Sequence, residues 1–196
     1  MMRIGVLAVQ GAFAEHEAVL RALGADCVEL RQKKDIAGID GLVLPGGEST
    51  VQGMLLRQLD MFDELKGLIS DGLPVLATCA GLILLAQKLD ADETVHFGTL
   101  PVTVRRNAYG RQLGSFETRA TVGEIADFPL VFIRAPYITE HDADVKVLSA
   151  VDGKVVGVRY KNQIGLAFHP EMTKDSRIHE SFLRIVYERM NKQKKC

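Results

Sequence analysis

Cys79 is a reactive side chain placed between two apolar runs of the sequence. The run before it has the length of a buried strand, and the run after it, from Leu82 to Ala86, predicts a buried helix. A sharp turn from strand to helix holds its corner residue in strained backbone and projects the side chain above the sheet. The unpaired N–H groups that begin a helix favour thiolate over thiol. The position therefore favours a nucleophilic cysteine, with a structural cysteine in a buried turn as the alternative.

A histidine and a carboxylate follow a later apolar run, in His169-Pro170-Glu171. Residues two apart in extended backbone share a face, and proline stiffens the link, so Glu171 can accept a hydrogen bond from one imidazole nitrogen. The other nitrogen is then free to take a thiol proton. A Cys–His–carboxylate set of this kind activates a thiol for attack on a carbonyl group. The tripeptide alone is more often a surface turn, and its pairing with Cys79 makes the catalytic interpretation specific.

Two adjacent glycines form a third candidate, in the segment Pro45-Gly-Gly-Glu-Ser-Thr50. We expect them to expose backbone N–H groups by adopting conformations closed to other residues. With the N–H of Ala80, a donor from Gly47 would form an oxyanion hole, in which one donor contributes about 3 kcal/mol. The segment also predicts a helix start with Ser49 or Thr50 as the N-cap. Phosphate binding is disfavoured, because no lysine follows the glycines and the glutamate would repel an anion.

The order of predicted elements places these three candidates at one edge of a sheet. Short apolar strands alternate with helical patterns in the first half of the chain, which indicates an α/β fold with a doubly wound, flavodoxin-like mixed sheet and helices on both faces. Such sheets bind ligands at the carboxyl ends of their strands. After about Lys88 the pattern predicts additional antiparallel strands, and a last helix at 176–191. The predicted strands are 3–9, 27–30, 41–45, 75–79, 99–106, 116–122, 131–134, 145–151, 154–160 and 163–168.

Composition limits the class of protein. A chain of 196 residues with a net charge of -1 at pH 7 has no basic excess for nucleic acid, and we expect one domain over 1–196. No apolar run reaches membrane-spanning length and no signal peptide is recognised, so we expect a cytoplasmic protein without membrane contact. The three cysteines, Cys27, Cys79 and Cys196, form no CxxC pair, which predicts reduced thiols.

The other histidines lack a convergent set of metal ligands in the sequence. They are His16, His96, His141 and His179. We therefore expect no metal site. No motif suggests a bound cofactor either.

Taken together, the motifs resemble those of triad-type (class I) glutamine amidotransferases. The segments 79–81 (Cys-Ala-Gly) and 169–171 (His-Pro-Glu) mark that class. The segments 105–112 and 132–136 are similar to those of one subfamily, the glutaminase subunits of pyridoxal 5'-phosphate synthase. Segments 5–11 and 44–50 extend the resemblance over nearly the whole chain. One departure is Ala77, where many relatives have glycine.

The resemblance implies an enzyme that hydrolyses L-glutamine to L-glutamate and ammonia. Cys79 is implied as nucleophile, His169 as acid and base, and Glu171 as the group that orients the imidazole. Implied glutamine contacts are Gly47, Glu48, Ser49, Arg106, Arg134 and Ala135. Either arginine suits the α-carboxylate, and Glu48 suits the α-ammonium group.

The resemblance also implies a protein partner, a synthase subunit that receives the ammonia within a large hetero-oligomer. We expect the Gly46–Gly47 peptide to act as a switch that this partner stabilises. Two alternatives stay open. One is the glutaminase of another pathway, such as imidazole glycerol phosphate synthesis, and the other is a cysteine-based stress or redox-sensing protein on a similar sheet.

Overall fold

The computed structural model describes residues 1–90, 94–106 and 115–193. Within those ranges the elements of the first half alternate as expected from the sequence. They are β1 (Arg3–Leu7), α1 (Phe13–Ala22), β2 (Asp26–Leu30), β3 (Gly41–Leu44), α2 (Ser49–Gln58), α3 (Phe62–Ser70), β4 (Val75–Thr78) and α4 (Ala80–Leu85). The four strands lie parallel in the order β2-β1-β3-β4. The strands β3 and β4 are wholly buried, which explains their unbroken apolar sequences.

The second half of the chain completes a mixed sheet. Its elements are β5 (Ala86–Leu89), β6 (Leu100–Arg105), β7 (Ser115–Val122), β8 (Ile125–Ile133), β9 (Tyr137–His141), β10 (Lys146–Val151), β11 (Lys154–Tyr160), β12 (Gln163–Leu166) and α5 (Arg177–Gln193). The sheet runs β2-β1-β3-β4-β12-β11-β9-β6-β5, with β10 paired to β11, while β7 and β8 form a separate antiparallel pair. The expected α/β class and the additional antiparallel strands are confirmed.

The sequence prediction missed two strands and misplaced several boundaries, above all that of β8, which begins at Ile125 and not at residue 131. The helix after Cys79 ends at Leu85, and Ala86 is already extended at the start of β5. The two middle residues of β5 and the last three of β9 are exposed and polar, so neither strand shows a clean apolar alternation. Pairing with β6, which lies beside both strands, supplies the order that their own sequences do not indicate.

The position of β12 organises the functional edge. This short strand lies parallel to β4, with Leu166 opposite Thr78. The backbone N–H of Cys79 donates to the carbonyl of Leu166 at 2.8 Å. The chain that follows β12 therefore arrives directly beside Cys79. In the described part of the chain, no helix has the length and apolar character needed to cross a membrane.

Glycine is required at position 81, where α4 begins against β3. A Cβ atom there would lie 2.0 Å from the backbone oxygen of Leu44, a contact that no side-chain movement relieves. Gly67, in α3, is the matched control, because a Cβ there would meet nothing within 4 Å.

We predict that Gly81→Ala lowers the free energy of unfolding by about 1–3 kcal/mol through overpacking. Gly67→Ala should raise it by up to about 1 kcal/mol, because alanine is the better helix former. Urea unfolding of both variants measures the two changes. Equal effects at the two positions would contradict the packing described here.

Candidate functional site

Cys79 occupies the strained turn that the sequence predicted. It follows β4 directly, has φ 48° and ψ -100°, and is 8% exposed. Positive φ in a residue other than glycine costs about 1–3 kcal/mol and persists only where the surroundings enforce it. Here the pairing of β4 with β12 and the start of α4 enforce it. The Sγ atom lies 4.0 Å from the carbonyl oxygen of Ile133, a long contact.

His169 and Glu171 form a buried pair beside this turn. The Nδ1 atom of His169 lies 2.7 Å from Oε1 of Glu171. The expected contact is thus present, although the backbone differs from the extended form predicted. Pro170 begins a short 3-10 helix, Pro170–Met172, that turns Glu171 back toward the imidazole. A hydrogen bond from the backbone N–H of His169 to the carbonyl of Val131, at 2.8 Å, fixes the start of the turn.

The electrostatics of the pair favour a protonated imidazole. Burial lowers the pKa of His169, but interactions with Cys79 and Glu171 outweigh that effect and raise the pKa to about 10. Burial raises the pKa of Glu171, whereas His16 and His169 lower it, and the net direction is downward. A charged imidazolium and a carboxylate therefore face each other at neutral pH, the pairing in which a buried carboxylate orients and stabilises a protonated imidazole.

The contact between Cys79 and His169 is not yet a well-aligned hydrogen bond. The thiol is close enough to act on the pKa of the imidazole. The Nε2 atom of His169 is nevertheless buried without a hydrogen-bond partner of good geometry among the residues that the structure describes. Catalytic hydrogen bonds are often long and tighten only around the substrate. Nε2 is thus the ring nitrogen available to the sulfur.

The glycine loop packs against this histidine. A Cβ atom at Gly46 would lie 2.3 Å from Cε1 of His169, so position 46 needs glycine for space. The expectation of unusual backbone conformations was wrong, because neither Gly46 nor Gly47 has positive φ. Gly11 does, at φ 107°, and a Cβ there would meet the carbonyl oxygen of Gly46 at 2.0 Å.

A hydrogen bond defines the orientation of the Gly46–Gly47 peptide. The N–H of Ala12 donates to the carbonyl of Gly46 at 3.0 Å. Because N–H and C=O of a trans peptide point in opposite directions, the N–H of Gly47 points away from Ala12. Ala80, the other expected donor, is the first residue of α4.

Glu48, and not Ser49 or Thr50, is the N-cap of α2. Its Oε2 accepts from the N–H of Val51 at 3.0 Å, and the longer side chain reaches the first turn from one residue earlier. Its Oε1 lies 3.1 Å from Nη2 of Arg106, which also donates to the hydroxyl of Thr50 at 3.2 Å. The structure therefore brings two expected substrate contacts together as a partly exposed ion pair. Such pairs contribute about 0–1 kcal/mol and rearrange readily.

The remaining expected contacts are Ser49, Arg134 and Ala135. Ser49 is buried, and its hydroxyl has no hydrogen-bond partner among the described residues. Arg134 is exposed with φ 44°, and Ala135 is buried. Both follow Ile133, whose carbonyl contacts the sulfur. The rest of the arginine-rich segment, 107–112, and Cys196 lie outside the described residues.

Two glutamine side chains that the sequence did not indicate hold the loop of Gly46 and Gly47. Gln52 is fully buried, and its Nε2 donates to the carbonyls of Gln10 at 2.9 Å and Pro45 at 3.2 Å. The side chain of Gln10 accepts from the N–H of Glu48 at 2.8 Å. A usable signal was the spacing of Gln52 with Leu56, which places both on the buried face of α2.

His16 was also missed. The sequence showed it only as one of the histidines without a set of metal ligands, yet it is fully buried and its Nε2 lies 3.3 Å from Oε2 of Glu171. Its spacing with Leu20 would have indicated a buried helix face. No cluster of three or more potential metal ligands occurs within residues 1–90, 94–106 and 115–193.

The coupling between Glu171 and His169 has a measurable consequence. We predict that Glu171→Gln lowers the pKa of His169 below about 10, because the variant removes the negative charge and weakens the hydrogen bond to the charged ring. An NMR titration of the imidazole measures the change. Glu140→Gln, at an exposed position of β9, is the control and should leave that pKa unaltered.

The same shift sets a pH dependence of stability. The pKa of His169 in the folded protein lies above its ordinary value of about 6.5. Its contribution to stability is therefore complete below that value and is lost as the pH rises toward about 10. Glu171→Gln should flatten this part of the stability curve. A His169 pKa unchanged by the substitution would contradict the pairing.

Comparison with known proteins gives consistent matches over nearly the whole chain. The model of the SNO glutamine amidotransferase family matches residues 6–188. A protein of Desulfitobacterium hafniense named pyridoxal 5'-phosphate synthase subunit PdxT is 62% identical over 183 residues, which are 93% of this chain and 92% of that relative. A Bifidobacterium longum protein of the same name is 54% identical and covers 92% of this chain and 99% of its own length.

Solved structures agree with the sequence relatives. A crystal structure of a glutamine amidotransferase superposes with a TM-score of 0.89 at 40% identity and covers 93% of this chain and 98% of its own. A glutamine amidotransferase from Thermotoga maritima has a TM-score of 0.63 at 17% identity, covering 98% of this chain and 85% of that one. The second similarity supports the fold alone.

Proposed function

The chain belongs to the SNO glutamine amidotransferase family, and from this premise we propose that Cys79, His169 and Glu171 hydrolyse L-glutamine to L-glutamate and ammonia. One observation carries the assignment of roles. Nδ1 of His169 lies 2.7 Å from Glu171, so that Nε2 is left to face Cys79 in its strained turn. That is the geometry of a nucleophile, an acid–base group and an orienting carboxylate.

The proposed reaction has two halves. The sulfur of Cys79, as thiolate, attacks the side-chain amide carbon of glutamine, and the amide oxygen takes the negative charge. His169 gives its Nε2 proton to the amide nitrogen, the C–N bond breaks and ammonia leaves. Water then loses a proton to the same Nε2 and attacks the resulting thioester. Collapse of that second adduct breaks the C–S bond, releases glutamate and returns the thiolate.

The oxyanion of each step needs two backbone donors. We assign this role to the N–H groups of Gly47 and Ala80. Ala80 contributes the first N–H of α4, which no helical carbonyl engages. The hydrogen bond from the N–H of Ala12 to the carbonyl of Gly46 sets the direction of the Gly47 N–H. Losing one such donor typically lowers kcat about 10²- to 10³-fold.

The substrate groups distant from the reacting amide have candidate partners. We assign the α-carboxylate of glutamine to Arg106 or Arg134, and the α-ammonium to Glu48. We assign further contacts to Ser49, whose buried hydroxyl has no competing partner in the described part of the chain, and to the buried Ala135. Arg106 and Glu48 form an ion pair in the structure. A glutamine zwitterion would separate them, with its α-carboxylate on Arg106 and its α-ammonium on Glu48.

The names of the relatives indicate which protein accepts the ammonia. Both curated relatives are named as subunits of pyridoxal 5'-phosphate synthase. We propose that this chain is the glutaminase subunit of that enzyme and passes ammonia to a synthase subunit in a large hetero-oligomer. We further propose that it acts as one domain in the cytoplasm, where thiols stay reduced. The glutaminase of another pathway would differ in its partner, and a redox sensor would not need the His169–Glu171 pair.

Covalent catalysis at Cys79 is directly testable. We predict that an electrophilic glutamine analogue, in the presence of the synthase subunit, labels Cys79 and no other cysteine. Peptide mapping by mass spectrometry locates the label. Cys79→Ser should abolish turnover, because a hydroxyl is a far poorer nucleophile at neutral pH. A label on the buried Cys27 instead would refute the assignment.

Regulation by the partner is a second prediction. Rotation of the Gly46–Gly47 peptide would break the bond from Ala12 and withdraw the Gly47 N–H from the oxyanion. We propose that the synthase subunit docks near Gln10 and Gly47 and holds the competent orientation. The isolated chain should then produce little glutamate, and adding the synthase subunit should raise the rate.

Gly47→Ala probes that loop. A Cβ atom there would lie 2.4 Å from Oε1 of Gln10 and 2.9 Å from Nε2 of Gln52, so these two side chains, which hold the loop, must shift, and the loop loses rotational freedom. Stimulation by the partner should be strongly reduced, while Gly67→Ala should behave as the unmodified protein. Full activity of the isolated chain, or normal stimulation of Gly47→Ala, would exclude this switch.

A further inference from the structure

Four buried polar side chains form a network behind Glu171. Nε2 of His16 lies 3.3 Å from Oε2 of Glu171 and 3.1 Å from the hydroxyl oxygen of Thr78. Nδ1 of His16 lies 3.0 Å from Nε2 of His179. The side chains come from α1, the end of β4, α5 and the 3-10 helix after His169, so the network joins segments far apart in the chain.

The network reaches two parts of the proposed active site. Glu171 uses its other oxygen, Oε1, to orient His169. The hydroxyl of Thr78 accepts from the N–H of Gly46 at 3.0 Å, which anchors the loop that carries Gly47. One nitrogen of His16 thus lies against both the carboxylate of the triad and the anchor of the oxyanion loop.

The burial of Glu171 favours a proton on Nε2 of His16. Oε2 is buried and has no well-aligned hydrogen bond among the described residues. A bare Nε2 lone pair at 3.3 Å would repel this carboxylate oxygen, whereas an Nε2–H would stabilise it. The same N–H can be shared with the Thr78 hydroxyl, whose two acceptor sites then hold His16 and Gly46.

His179 agrees with this tautomer. If His16 carries its proton on Nε2, its Nδ1 accepts, and Nε2 of His179 must donate. Nδ1 of His179, which is buried without a partner among the described residues, is then a bare acceptor. The opposite tautomer would place an unpaired N–H at that atom, which is the rarer defect in protein interiors.

Both histidines are neutral donors in this environment. Burial lowers the pKa of His16, and the attraction of Glu171 only partly offsets it. Burial, together with the neighbouring His16, lowers the pKa of His179 to about 3. His16 therefore lies beside Glu171 as a neutral ring and places no second full charge there.

We propose that His16 is a positioning residue of the active site. Its Nε2–H is shared between Oε2 of Glu171 and Oγ1 of Thr78, and the contact with His179 fixes this tautomer. His16 does not touch the substrate. It acts by fixing the carboxylate that orients His169 and, through Thr78, the loop of Gly47. This inference rests on the proposed function for its effect on rate, but the tautomer itself is a property of the folded chain.

Two amide substitutions separate the two ring nitrogens of His16. A glutamine side chain reaches as far as Nε2 and can donate there, whereas asparagine reaches only as far as Nδ1. Relative to the unmodified protein with the synthase subunit, His16→Asn should lower kcat about 10- to 100-fold, the loss that follows when a metal ligand loses its outer hydrogen-bond partner. KM for glutamine should change little. His16→Gln should recover most of kcat.

Equal kcat values for His16→Asn and the unmodified protein would overturn the proposal, as would equal losses in both variants with their folds intact by circular dichroism. If the unmodified protein with its synthase subunit produced no glutamate, the proposed function would fail instead. An NMR measurement of the tautomer tests the proposal without depending on activity.

The tautomer can be observed in the unmodified full chain by NMR of ¹⁵N-labelled imidazoles at neutral pH. Signals of His16 and His179 are assigned by their disappearance in His16→Gln and His179→Gln. We expect both rings to be neutral, with the proton on Nε2 and a bare Nδ1. A bare Nε2 on His16, or a charged ring, would overturn the proposal even if the variants were inactive.

Discussion

The hydrogen bond from the Cys79 N–H to the Leu166 carbonyl is the constraint on which the functional edge depends. It continues the parallel pairing of β4 with β12 by one residue beyond β4. That residue cannot remain extended, because α4 begins immediately after it, so the turn takes positive φ and projects the sulfur. The chain leaving β12 reaches His169 within three residues. Register in a sheet is discrete, and a shift by one residue would move these side chains to opposite faces.

Buried charge is the second organising feature. Glu171 is almost fully buried, and an isolated carboxylate in that position would be costly. His169 on one oxygen and His16 near the other make the burial tolerable. The arrangement differs from a simple ion pair, because only one of the two imidazoles is charged. In the proposed mechanism His169 is the charged partner that exchanges protons, and His16 is a neutral partner that only donates.

The sequence was informative where local chemistry and chain order agree. The position of Cys79 between two apolar runs predicted the turn from strand to helix, and the spacing of His169 and Glu171 predicted their contact. The N-cap was misassigned to Ser49 or Thr50, because Glu48 is long enough to cap the helix from one position earlier. The strands β5 and β9 were missed, because they are ordered by the neighbouring β6 and not by apolar alternation. The His16 network lay beyond sequence reasoning, since it requires knowing that α1, β4 and α5 meet behind Glu171.

The central claim is that Cys79 forms a covalent bond to the substrate. The most direct measurement is rapid quenching of the protein and its synthase subunit with glutamine, followed by mass spectrometry of the peptides. We expect a transient glutamyl thioester on the peptide that contains Cys79, absent in Cys79→Ser and accumulating before glutamate is released. Steady production of glutamate with no adduct at any time, or an adduct retained in Cys79→Ser, would contradict it.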